Sequence, residues 1–173
     1  MITDILKETM RVNDSLCSQL SEKGVVKIKI TKVPTLENNF YRNVSPMLDE
    51  RYSILSYWRN ATHGDWLSIE EMEMLWLKDS SPYINQLKNQ IKAFSENWPN
   101  DASSLFKDNR ISVFAIDDNG NEHIYLIWLD DIDEPELWVY DSNGVARYKN
   151  LKKYLEAYLS DDLSAYNVIY QNQ

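Results

Sequence analysis

The chain has 173 residues, 27 acidic and 18 basic, and a formal charge of −9. With 43% hydrophobic and 12% aromatic residues it can bury a core, and four Gly and five Pro are too few for low-complexity disorder. No run approaches the roughly 18 apolar residues of a membrane span, and an acidic balance argues against phosphate backbones as direct ligands, which need clustered Lys and Arg.

The length suits one domain over residues 1–173. The single Cys17 cannot form an internal disulfide, which fits a reducing compartment. The opening MITDILKETM carries acids early and no long apolar core, unlike a secretory leader. A cytoplasmic protein is therefore expected. The bland reading of the negative charge is solubility; the sharper one is a basic partner.

Ile2, Leu6, Met10, Leu16 and Leu20 fall near helical spacing, so a one-faced helix is expected over 3–22, stopped by Lys23 and Gly24. Residues 25–33, VVKIKITKV, alternate apolar and polar as a half-buried strand does, with Pro34 ending it and PTLENNFYRNV as a connector. Ser45-Pro46 starts a helix running to about Asn60, with Met47, Ile54, Leu55 and Trp58 buried and Gly64 as the break. Ser68 and Glu71 form an S-x-x-E capping box for a second helix through Leu77. Ser81-Pro82 opens a third, carrying Ile84, Leu87, Ile91 and Phe94 and closed by Trp98-Pro99.

From Ile111 the pattern changes to a sheet. A strand begins there, Asp118-Asn119-Gly120 makes a hairpin turn, and residues 124–129 make the next strand. DDIDEPE is an acidic loop, 137–140 a third strand, and Ser142-Asn143-Gly144 a further turn. Residues 148–159 read as a helix with Leu151, Tyr154, Leu155 and Tyr158 on one face, and 166–170 as a short strand or a frayed end.

The window 111–146 holds nine acids and no Lys or Arg, which leaves 18 acids against 18 bases elsewhere, so the whole net charge resides in it. Catalytic motifs are absent. His63, His123 and Cys17 show no metal-ligand spacing, and there is no phosphate-cradling glycine loop. DDNG at 117–120 resembles part of a calcium loop, but Ala115 and Leu126 stand where that loop needs acids, so it reads as a turn. Cys17 reads as a plain buried thiol, and Glu122-His123 as solvent-facing residues after a turn. A carboxylate cluster is usually a solvated loop. Here Trp128 precedes it and Trp138 follows it, which adds aromatic anchors beside charge and favours docking.

The succession ISVFAI, DDNGN, HIYLIWL, an acidic loop, LWVYD and the helix YKNLKKYLEAYL, over residues 111–159, resembles the SUKH superfamily, bacterial immunity proteins related to the yeast Smi/Knr cell-wall regulators. Asp117, Gly120, Trp138, Tyr140, Asp141, Leu151, Tyr154 and Leu155 stand where that family places its turn, crossing strands and closing helix. The resemblance implies an α+β domain, one antiparallel sheet packed against several helices. It also implies a non-enzymatic protein without cofactors that binds and blocks a cognate toxin, often one acting on nucleic acid through a basic site. The expected partner-binding residues are Asp117, Asp118, Glu122, Trp128, Asp130, Asp131, Asp133, Glu134, Glu136, Trp138 and Asp141. The rival expectations are an acidic regulatory module that recruits an endogenous protein, and a hydrolase or transferase built from scattered carboxylates.

Overall fold

The computed structural model describes residues 1–16, 21–76 and 106–167, together with Pro82, Asn85 and Asn89. The fold is α+β. Helix α1 (Thr3–Leu16) is followed by a two-stranded hairpin, β1 (Lys32–Pro34) and β2 (Tyr41–Asn43), then by α2 (Pro46–Ile54), β3 (Asp65–Trp66) and α3 (Ile69–Met74). Strands β4 (Ile111–Ile116), β5 (His123–Ile127), β6 (Glu136–Asp141) and β7 (Gly144–Tyr148), helix α4 (Leu151–Ser160) and β8 (Tyr166–Asn167) complete it.

Strands β3 to β8 form a six-stranded antiparallel sheet in which every strand neighbours the next in number. One cross-strand row runs Trp66, Ala115, Ile124, Val139, Ala146, Tyr166. Large and small side chains mix along it, which lets the helical layer seat against the sheet. Helix α4 packs on β6, β7, α1 and α2, burying Leu151, Tyr154 and Leu155 as its spacing predicts. The opposite row, Val113, Tyr125 and Trp138, is buried too, so the central strands are covered on both faces.

Several expectations need correction. Helix α1 ends at Leu16, which is 72% exposed, and Ser21 and Glu22 are not helical; Cys17 and Leu20 lie outside the described residues. Residues 25–31 form no strand: Val25 and Ile28 are 78% and 64% exposed. The pairing is made further back, where Gly24 N–H donates to Tyr57 O and Gly24 O accepts from Ser56 N–H, both at 3.0 Å, and Glu22 O accepts from Arg59 N–H, 2.8 Å. Gly24 permits this, since a Cβ there would lie 2.3 Å from Ser56 and Tyr57 side-chain atoms. Pro34 is inside β1, and the predicted connector is the hairpin to β2, turning through Asn39 at φ 60°.

Helix α2 ends at Ile54 rather than near Asn60, because the buried Arg51 guanidinium binds the carbonyl oxygens of Leu55 and Ser56 and holds the chain extended. Strand β7 was not expected; it takes in Tyr148, the first residue of the predicted closing helix, and the helix starts at Leu151. Asn150 caps α4 two residues after β7 ends, its Oδ1 accepting the Lys153 N–H at 3.0 Å. The predicted third helix lies outside the described residues apart from Pro82, Asn85 and Asn89, which are helical. Leu77 lies outside them as well.

Two helices are capped from a distance. Glu50 Oε2 accepts the Ile2 and Thr3 N–H groups at 2.6 and 3.0 Å at the start of α1. Glu134 Oε1 accepts the Met47 N–H at 2.8 Å at the start of α2, where Ser45 makes no side-chain cap. The Ser68–Glu71 capping box of α3 is present in full.

Candidate functional site

The sheet has two ends, and the nine acids of the acidic window divide between them. The β4–β5 and β6–β7 turns lie at one end, with Asp117, Asp118, Glu122 and Asp141. The β5–β6 loop lies at the other, with Asp130, Asp131, Asp133, Glu134 and Glu136. The five residues of β5 separate them, a distance of about 15 Å at a strand's rise. The expectation of one continuous acidic face therefore becomes two separate acidic patches.

At the loop end most side chains hold the loop itself. Trp128 is buried and donates its indole N–H to Ser112 Oγ at 2.9 Å. Trp138, 8% exposed, donates to Glu136 Oε2 at 3.2 Å, meets Phe106 edge-on at 5.0 Å and lies under the Arg147 guanidinium. Both indoles, expected at the surface beside the charge, are buried and brace the base of the loop. Glu136 takes Arg147 in a two-pronged ion pair of 2.7 and 2.8 Å, Asp130 pairs with Arg110, and Glu134 caps α2. The two bases that flank the window, Arg110 and Arg147, thus reach back into it. Asp131 and Asp133 stand exposed without a hydrogen bond or ion pair among the described residues, on either side of Ile132, which is 50% exposed.

At the turn end Asp117 Oδ1 accepts the Asn121 and Glu122 N–H groups at 2.7 and 3.1 Å, shaping the turn, and Asp118 is exposed. Glu122 Oε2 accepts the Gly64 N–H at 2.7 Å. Gly64, at φ 66°, packs so closely on the Ile116 carbonyl carbon that a Cβ would sit 2.7 Å from it. This brings His63 to the sheet.

His63 sits at the centre of a polar chain. Its Nδ1 lies 2.7 Å from the Tyr154 hydroxyl and its Nε2 3.1 Å from Asp141 Oδ2. Tyr166 donates to the same Asp141 oxygen at 2.7 Å, Thr62 bonds the Tyr154 hydroxyl, and the Trp66 indole donates to Thr62 Oγ1 at 3.2 Å. The bonds are all satisfied when the Tyr154 hydroxyl donates to Nδ1 and Nε2–H donates to Asp141. Burial alone would raise the Asp141 carboxyl, but the hydrogen bonds from His63, Tyr166 and the Asn143 amide outweigh it and hold the group below the usual carboxylate range. The expectation had Asp141 as a partner-facing acid; it is instead half-enclosed and structurally engaged.

Sequence reasoning missed this cluster because its members lie far apart in the chain: His63 meets Tyr154 across 91 positions and Tyr166 across 103. His123, expected in solvent, is 3% exposed on the sheet, and burial lowers its pKa to about 4. Among the described residues no group of three His, Cys, Asp or Glu side chains could hold a metal ion, and no helix is long and apolar enough to cross a membrane. No family model, curated protein or solved structure matches the chain.

Proposed function

We propose that this protein binds and neutralises a cognate bacterial toxin by covering a basic surface of it, as an immunity protein does, and that the contact is the β5–β6 loop. The observation that carries the reading is the loop's construction. Asp131 and Asp133 present carboxylates without a partner among the described residues around the exposed Ile132, and the loop is tied down on both sides by Trp128, Asp130, Glu134 and Glu136. A fixed loop loses little conformational freedom on binding, so its charge and its one apolar side chain act with full effect. Two like charges held close together repel, and a basic partner relieves that repulsion. A toxin that acts on nucleic acid presents such a surface in its substrate site.

The test is co-expression with the product of the neighbouring toxin gene, followed by a protection assay in which the toxin's activity is measured with and without this chain. The expected result is a stable complex and loss of toxin activity, with D131K/D133K slowing capture about tenfold or more at low salt. A neighbouring product that neither binds nor is inhibited would sink the immunity reading. Wild-type capture by D131K/D133K would move the contact off this loop.

A further inference from the structure

The far end of the sheet carries an open pocket of about 500 Å³ bordered by α1, α4 and the β7–β8 side of the sheet. Tyr158 and Tyr166 line it together with His63, backed by the buried Tyr148 and Tyr154. No Lys or Arg is among its described lining residues, while Asp161 and Asp162 form part of the wall and the Asp141 carboxylate stands directly behind His63. We propose that this cavity is an aromatic cage for an organic cation, an alkylammonium or guanidinium group.

Three properties support the assignment. The first is chemistry: aromatic faces attract a cation through the ring quadrupole, and several rings around one volume recognise a bulky ammonium group that water solvates poorly. The second is field. Among the described residues the wall carries the acids Asp161 and Asp162, and behind His63 stands Asp141, whose hydrogen bonds hold its carboxyl below the usual carboxylate range. A cation is drawn in and an anion is repelled. The third is preorganisation. Three of the four tyrosine hydroxyls are already engaged: Tyr154 with His63 and Thr62, Tyr158 donating to Asn13 at 2.9 Å, and Tyr166 donating to Asp141. Tyr148 and Tyr154 pack edge to face at 5.5 Å, and His63 meets Tyr158 at 6.3 Å and 74°. The rings are fixed by these contacts before any ligand arrives, and the volume lies within the range of small-ligand sites.

The cage lies at the opposite end of the sheet from the β5–β6 loop and does not depend on the toxin reading. Its ligand could be a free quaternary ammonium compound or the side chain of a lysine or arginine in another protein; the recognising chemistry is shared. The test is titration of the full chain, followed by tyrosine side-chain resonances. The probes are choline, its neutral isostere 3,3-dimethyl-1-butanol, and the acetylated amides of lysine and arginine. The expected result is saturable binding of at least one cation with a millimolar or tighter Kd, and binding of the neutral isostere at least about tenfold weaker than choline. A preference for choline identifies a free ammonium compound, and a preference for the amino-acid amides a protein side chain. D161N/D162N should weaken binding severalfold while leaving the melting temperature unchanged, since Asn tolerates the left-handed backbone at position 161. Tyr166→Leu should abolish it, with folding checked by circular dichroism. Equal responses to choline and its isostere, or no saturable response to any cation up to about 100 mM, would overturn the proposal.

Discussion

The Arg51 guanidinium lies wholly inside the protein, donating to the carbonyl oxygens of Leu55 and Ser56 from Nη1 and of Leu67 from Nη2, at 3.1, 3.0 and 3.1 Å. It stacks over the Tyr52 ring at 4.0 Å. Burial lowers its pKa, and no carboxylate lies within ion-pair reach of it among the described residues. Arg51→Ala leaves three carbonyls without a donor and should cost about 3 kcal/mol or more in urea unfolding. Arg51→Lys should recover little, because an ammonium group cannot reproduce the planar fork. His123 gives a pH prediction. Its pKa falls from 6.5 to about 4 on folding, so between those values the unfolded chain binds a proton that the folded chain does not. Stability from this group is complete above about pH 6.5 and declines as the pH falls toward 4, by up to about 3 kcal/mol. His123→Phe should flatten that window in denaturation midpoints measured from pH 7 to 4. Glu50 and Asp141, whose pKa values are lowered, lose their contribution only as pH falls through the carboxylate range, at the acid end of the same series.

Two serines introduce helices with similar sequence signals, yet they do different work. Ser68 accepts the Glu71 N–H and forms a full capping box, so Ser68→Ala should cost about 1 kcal/mol. Ser45 starts α2 but makes no cap, and Glu134, 87 positions downstream, takes its place. Ser45→Ala should be nearly silent and Glu134→Ala should cost about 1 kcal/mol in thermal or urea unfolding. The contrast shows what local reading can reach. A capping box is a contact within four residues and was legible, as were the β4–β5 hairpin turn and the buried face of α4. Glu134 belonged to an acidic run that looked uniformly solvent-facing, and only the three-dimensional approach of the loop to α2 separates it from Asp131 and Asp133. Strand β7 was hidden for a similar reason. Its five residues lie between a turn and a helix, and pairing with β6, rather than a strong local preference, makes them a strand. Residues 25–31 show the reverse: a clean alternation with no neighbouring ladder to complete it.

At the scale of the molecule, the negative charge was readable as an amount and a window, but not as a shape. Folding sends it to two ends of one sheet and neutralises part of it with Arg110 and Arg147. If the β5–β6 loop meets a basic partner, association should slow as salt rises from low to physiological ionic strength, since the screening length shrinks to about 8 Å, and D131K/D133K should flatten that dependence. Stopped-flow mixing at several salt concentrations measures both. The sheet also limits its own growth. Its border strands, β3 and β8, each span two of the described residues. An intruding chain meets at β3 an edge whose backbone is already engaged, since Trp58 and Trp66 exchange N–H to carbonyl bonds at 3.0 and 2.8 Å. Strand-by-strand stacking of copies is thus discouraged at the β3 margin.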